Sequence, residues 1–133
     1  MIGVVIATHG KLAEEMIRTA EAVVGRLDQV IPLSVVATAP DMRSDLKAAI
    51  QRVDQGEGVL LLTDLLGGTP TNLCLSFLAE RQVEVVTGVN LPMVLKLSSL
   101  RAAGKPIGQI ARELVETGQR AIGNVSESLR RMG

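Results

Sequence analysis

The 133-residue chain contains one histidine, His9, placed where an apolar run, Ile2–Ala7, gives way to Thr8-His9-Gly10. A second apolar run, Gly58–Thr63, gives way to Asp64-Leu65-Leu66-Gly67-Gly68-Thr69-Pro70-Thr71-Asn72. A neutral imidazole can attack phosphorus through one ring nitrogen while a carboxylate holds the N–H of the other. His9 and Asp64 are the residues for that chemistry if the two runs end side by side. The residues after Asp64 suit an anion. Gly67 and Gly68 let the backbone approach closely and can point N–H groups at it. A helix beginning at Thr69 adds unpaired N–H groups and the positive end of its dipole. The Thr69 hydroxyl can cap that helix or bond a phosphate oxygen, and Gly10 leaves room beside the ring for an approaching partner. Each feature alone has a bland reading, since a glycine pair before a helix is commonly a plain turn. Their coincidence at the ends of two runs carries the argument.

Other chemistries lack their residues. No G-x-x-x-x-G-K-[ST] occurs, and Gly56-Glu57-Gly58 precedes its strand and lacks the third glycine of a dinucleotide fingerprint. One histidine and one cysteine do not make a zinc or iron site. No G-x-S-x-G elbow is present. Cys74 reads as a packing residue on an apolar helical face, and Met93 as core. Fourteen basic and fourteen acidic residues sum to zero formal charge, so no basic field invites nucleic acid. Phe77 is the only aromatic residue, which leaves nothing for bases to stack on. The apolar runs fall far short of the ~20 residues that span a bilayer, and Met1–Ile6 lacks the basic leader of an export signal. A soluble cytoplasmic protein is expected. With 47% hydrophobic and 21% charged residues, the chain is expected to fold as a single domain over residues 1–133.

Four short runs rich in branched aliphatic residues supply the strands: Ile2–Ala7, Gln29–Val35, Gly58–Thr63 and Val83–Thr87. The first and third are apolar almost throughout, as central strands covered on both faces must be. Leu12, Met16, Ala20 and Val23 form one helical face. Asp41 opens a second helix bearing Leu46, Ala49, Ile50 and Val53, which Gly56 and Gly58 break. In the third, Thr69 suits the N-cap and Pro70 the first helical position; Leu73–Phe77 and Cys74–Leu78 then form two i, i+4 rows. Asn90 can cap a helix over Leu91–Leu100, with Pro92 tolerated in its first turn. Pro106 starts a last pattern of Ile107, Ile110, Leu114, Ala121, Val125 and Leu129, interrupted by Gly118 and Gly123. That tail reads as one long helix, or as a helix followed by a short strand or arm. The strict alternation predicts a doubly wound α/β fold with a mainly parallel four-stranded sheet and helices on both faces. Such sheets bind ligands beyond the carboxyl ends of their strands, where the strand order reverses.

Three ordered stretches, V-V-I-A-T-H-G-K-L-A, L-L-T-D-L-L-G-G-T-P-T-N and T-G-V-N-L-P-M, together resemble the EIIA domain of the mannose family of the bacterial phosphoenolpyruvate:sugar phosphotransferase system. The resemblance implies a phosphocarrier that accepts a phosphoryl group from HPr on His9 and passes it to an EIIB domain or protein in sugar uptake. The family's phosphorylated histidine falls on His9, its orienting aspartate on Asp64 and its phosphoryl-binding hydroxyl on Thr69. Gly67 and Gly68 match its glycine pair and Asn72 its following asparagine, while Asn90, like Gly10, is placed beside the pocket. It also implies a homodimer, in some members with a fifth, C-terminal strand exchanged between subunits, and it implies no cofactor or metal, because the group moves between protein histidines. Asp64 would orient the imidazole while its charge opposes the arriving dianion, a repulsion that the glycine and helix N–H groups would offset. A regulatory module is the alternative, with the phosphorylation state of His9 read by a kinase or other regulator, dihydroxyacetone kinase-type systems included. The sugar and the attacking nitrogen stay open at this level.

Overall fold

Leu60, Leu61 and Leu62 are all fully buried, a burden only a strand covered on both faces can carry. They belong to β3 (Val59–Thr63), which lies inside a four-stranded parallel sheet of order β2-β1-β3-β4. The computed structural model describes residues 1–35, 41–65, 68–79 and 82–133. In chain order the elements are β1 (Gly3–His9), α1 (Leu12–Val24), β2 (Val30–Val35), α2 (Met42–Val53), β3, α3 (Gly68–Leu75), β4 (Val83–Val86), α4 (Leu91–Ala102), α5 (Ile107–Arg120) and α6 (Val125–Met132). The register runs from Gly3↔Val59 to Ala7↔Thr63 between β1 and β3, and from Val4↔Val30 to His9↔Val35 between β1 and β2.

Strand parity divides the interior into two layers, because successive side chains point to opposite faces. Val4, Ile6, Leu60 and Leu62 pack with α1, α4 and α5; Val5, Ala7, Val59 and Leu61 pack with α2 and α3. The chain leaves β1 for β2 on one side, then returns across to β3 on the other. The order therefore reverses between β1 and β3, and a crevice opens there at their carboxyl ends.

The expected α/β architecture is the one found, with differences at the element edges. β1 continues two residues beyond Ala7, because ladder pairing with β2 is made by the backbone and does not stop where the side chains turn polar. In α1 the buried residues are Ala13, Ile17 and Ala20, whereas Leu12 and Val23 are exposed and Met16 is half-buried. The helix turns its adjacent row of smaller residues to the sheet, where they allow closer packing. The α2 face matches its reading: Leu46, Ala49, Ile50 and Val53 are buried. At α3 the expectation of Thr69 as N-cap and Pro70 as first helical residue is two residues late. The helix is counted from Gly68, so Thr69 lies inside it and not at the N-cap. It also ends at Leu75 and continues as i→i+3 turns through Leu78, which bury Phe77 but leave Leu78 exposed, so the two i, i+4 rows do not form one helical face.

Asn90 caps α4 as expected, accepting the Met93 N–H at 3.2 Å. Gly118 does not interrupt α5: a Cβ there would lie 2.6 Å from Met93 Sδ, so glycine is what lets α5 close on α4. The tail is a separate short helix, α6. No fifth strand occurs among the described residues, and Ile122, Val125, Leu129 and Met132 all stand exposed.

Candidate functional site

His9 is the last residue of β1 and Asp64 the first after β3, so the register of these neighbouring strands brings the two together at the crevice. The Nδ1 of His9 lies 2.9 Å from Asp64 Oδ2, and the His9 backbone N–H donates to the same oxygen at 3.1 Å. A carboxylate only accepts, so the ring proton resides on Nδ1 and the lone pair of the neutral imidazole is left on Nε2. The His9 side chain is 52% exposed while that of Asp64 is 11% exposed. The carboxylate is thus sunk beneath a ring that faces solvent.

Burial pushes the Asp64 carboxyl upward, but hydrogen bonds from the His9 ring and backbone, with the charge the ring can carry, outweigh it and hold the group below its ordinary value. Asp64 is therefore ionised at neutral pH. Its other oxygen, Oδ1, is buried and has no hydrogen-bond partner among the described residues.

Gly68 closes the far side of the ring. Its φ of +77° is a left-handed conformation that glycine adopts without strain, and a Cβ there would sit 3.8 Å from His9 Cε1. Thr69 and Asn72 follow as exposed residues of α3, and neither side chain forms a hydrogen bond with another described residue. Around Gly10, no atom of the described residues beyond its chain neighbours lies within 4 Å of the place a Cβ would take. Gly67 lies outside the described residues. Asn90 is committed elsewhere: beside capping α4, its Nδ2 donates to the Gly118 carbonyl at 3.2 Å, joining α4 to α5. It stands at the end of β4, a strand removed from β1, and no hydrogen bond links it to His9 or Asp64.

Three buried threonines around the pair escaped the sequence reading. Thr8, just before His9, accepts the Ala13 N–H at 2.9 Å and so ties the start of α1 to the end of β1. Thr63, just before Asp64, meets Thr71 hydroxyl to hydroxyl at 2.8 Å. The Thr71 hydroxyl also donates to the Leu65 carbonyl. A signal existed. Each of the two reactive candidates is preceded by a threonine closing an apolar strand, and a buried hydroxyl must find a partner. Cys74 is buried, and burial pushes its thiol up to about 12, as a packing residue's would be. Among the described residues no three His, Cys, Asp or Glu side chains are grouped to hold a metal ion, and no helix is long and apolar enough to cross a membrane.

The family model described as EIIA-man, PTS system fructose IIA component, matches residues 3–115. Over 124 residues the chain is 31% identical to the PTS system mannose-specific EIIAB component of Escherichia coli (strain K12), with 91% of this chain and 38% of that protein covered. The chain thus spans less than half the length of those mannose-specific relatives. It is 32% identical over 104 residues to the PTS system fructose-specific EIIA component of Bacillus subtilis (strain 168), covering 76% of this chain and 71% of that one. Among solved structures, the PTS IIA protein associated with the fucose utilization operon from Streptococcus pneumoniae superposes with a TM-score of 0.80 at 32% identity, covering 96% of both chains. The mannose/sorbose specific IIA subunit of the phosphotransferase system from Enterococcus faecalis gives 0.81 at 26% identity over 92% of each.

Proposed function

The chain belongs to the EIIA-man family of phosphotransferase-system IIA components, and on that footing we propose that it is a phosphocarrier that takes a phosphoryl group from phospho-HPr on His9 and yields it to an EIIB partner in sugar uptake. One observation carries the reading: Nδ1 of His9 is held by Asp64 at 2.9 Å while the rest of the ring stands open to solvent. Nε2 is then the attacking atom. Its lone pair forms a bond to phosphorus as the N–P bond of the donor's phosphohistidine breaks, and that electron pair returns to the donor ring. The Nδ1 proton stays where it is, facing Asp64, which stabilises the positive charge the ring gains. Transfer to EIIB runs the same steps in reverse.

The protein's contribution is placement and electrostatics, as in phosphoryl transfer generally. In this reading Gly68, beside the ring, and Thr69 and Asn72, exposed on α3, would meet the phosphoryl oxygens with backbone N–H, hydroxyl and amide donors, with Gly67 completing the glycine pair. The open ground around Gly10 admits the partner. The homodimer is part of the same proposal; the exposed apolar stripe of Ile122, Val125, Leu129 and Met132 supports it, and sedimentation over a range of concentrations tests it.

The decisive experiment supplies phosphoenolpyruvate, EI and HPr and looks for acid-labile phosphate on the chain, then for its passage to a purified EIIB. Labelling is expected in the wild type and lost in His9→Ala. Label that persists in the variant assigns the chemistry to another residue.

A further inference from the structure

Asp64 is gripped from both sides along the chain. Before it stands Thr63, the last residue of β3 and fully buried; after it, the Leu65 carbonyl receives the hydroxyl of Thr71, which is also buried. The Thr63 and Thr71 hydroxyl oxygens are 2.8 Å apart, and the Thr63 hydroxyl lies 3.4 Å from the Leu65 carbonyl. Each hydroxyl has one proton to give. With the Thr71 proton on the Leu65 carbonyl, that of Thr63 goes to Thr71, so the bonds form a chain: Thr63 to Thr71 to Leu65. Chains of this kind polarise one another, and without the Thr71 hydroxyl the Leu65 carbonyl loses the donor that fixes its direction.

The carboxylate needs such support. Its Oδ2 must meet two donors of His9 at once, at 2.9 and 3.1 Å, whereas Oδ1 has no partner among the described residues that could steer it. The aim of Asp64 is therefore set by the backbone on either side of it. We propose that Thr71 is a positioning residue for the His9–Asp64 pair, holding the Leu65 carbonyl, in concert with Thr63, so that the turn after β3 presents Asp64 to the imidazole. The kinetic consequence rests on the phosphocarrier reading; the placement of Asp64 does not.

The test compares Thr71→Val, which keeps the shape and loses the hydroxyl, with Thr71→Ser, which keeps the hydroxyl. NMR reads the carboxyl titration of Asp64 and the Nδ1 resonance of His9 in the full chain, and labelling from phosphoenolpyruvate, EI and HPr reads transfer. In Thr71→Val the bonds that lower the Asp64 pKa weaken while burial still raises it, so the titration moves up. The Nδ1 resonance moves with it, and labelling slows by about tenfold or more, as expected for a reacting group displaced by a fraction of an ångström. Thr71→Ser is expected to restore all three. If Thr71→Val does not fold, Thr71→Ala removes the hydroxyl without placing a methyl group against the carbonyl and is read in the same way. A folded apolar variant with wild-type titration and resonance overturns the proposal, as does a serine variant that restores nothing. Failure of both apolar variants to fold also overturns it, for Thr71 would then serve the fold and not the site. A wild-type chain that takes no phosphate sinks the phosphocarrier reading instead, and the NMR comparison still decides the role of Thr71.

Discussion

At the scale of the residue, one carboxylate oxygen does two jobs. Oδ2 of Asp64 accepts from both the ring and the backbone of His9, which fixes the tautomer and the direction in which Nε2 faces. Replacing the acceptor by an amide tests this, since an asparagine can offer a nitrogen where the oxygen was. Asp64→Asn is expected to slow phosphoryl acceptance by about tenfold or more, measured as initial labelling rate with HPr in excess, while the circular dichroism spectrum stays unchanged. The same residue sets a pH dependence. Its folded-state pKa is depressed, so the stability it lends is complete above the ordinary carboxyl value of about 4 and is lost as pH falls through the lower folded-state value. Denaturation midpoints of the wild type and Asp64→Asn should therefore differ most near neutrality and converge in acid. Gly68→Ala belongs to this scale too. It forces a side chain into a left-handed conformation beside Cε1 of His9, and is expected to cost about 1–2 kcal/mol in urea denaturation.

At the scale of the element, strands and helices aim the pair by devices that are not themselves reactive. Thr8 ends the buried part of β1 and accepts the Ala13 N–H in the first turn of α1, across the turn that contains Gly10. Thr8→Val keeps the volume but leaves the Ala13 N–H without its acceptor, which should lower the unfolding free energy by about 1 kcal/mol, read by chemical denaturation. The central strands bear most of the load. Leu61 is fully buried in the layer against α2 and α3, and Leu61→Ala should cost about 2–5 kcal/mol in the same measurement. The α1 face shows how far periodicity can be read. Leu12-Met16-Ala20-Val23 and Ala13-Ile17-Ala20 are neighbouring apolar rows that share Ala20, and only the approach of the sheet decides which of them is covered.

At the scale of the whole molecule, the parallel sheet of order β2-β1-β3-β4 explains why residues 55 positions apart meet. Strand order reverses between β1 and β3 and nowhere else in this sheet, and that reversal places His9 and Asp64 at one crevice while Asn90, at the end of the edge strand β4, serves the α4–α5 joint. The C-terminal α6 stands apart from this scheme. Asn124 caps it by accepting the Glu127 N–H at 3.1 Å, yet none of its residues is buried. Eight residues without tertiary cover make a marginal helix in water. In a dilute monomer the α6 amides should therefore exchange with deuterium far faster than those of β1 and β3, and slower exchange at high concentration would mark the face as covered by association.

Alternating apolar runs and helical spacings were enough to foresee a doubly wound parallel sheet, because burial on both faces leaves continuous aliphatic strands in the sequence. His9 and Asp64 were legible because each stands where such a run ends, a position that topology makes significant. What the linear pattern could not contain is anything decided by approach in three dimensions. The covered row of α1, the early start and short length of α3, the duty of Asn90 and the threonine chain around Asp64 each depend on which surface meets which. A hydroxyl's partner or a helix's inward face follows from packing between distant segments, and spacing along the chain does not encode it.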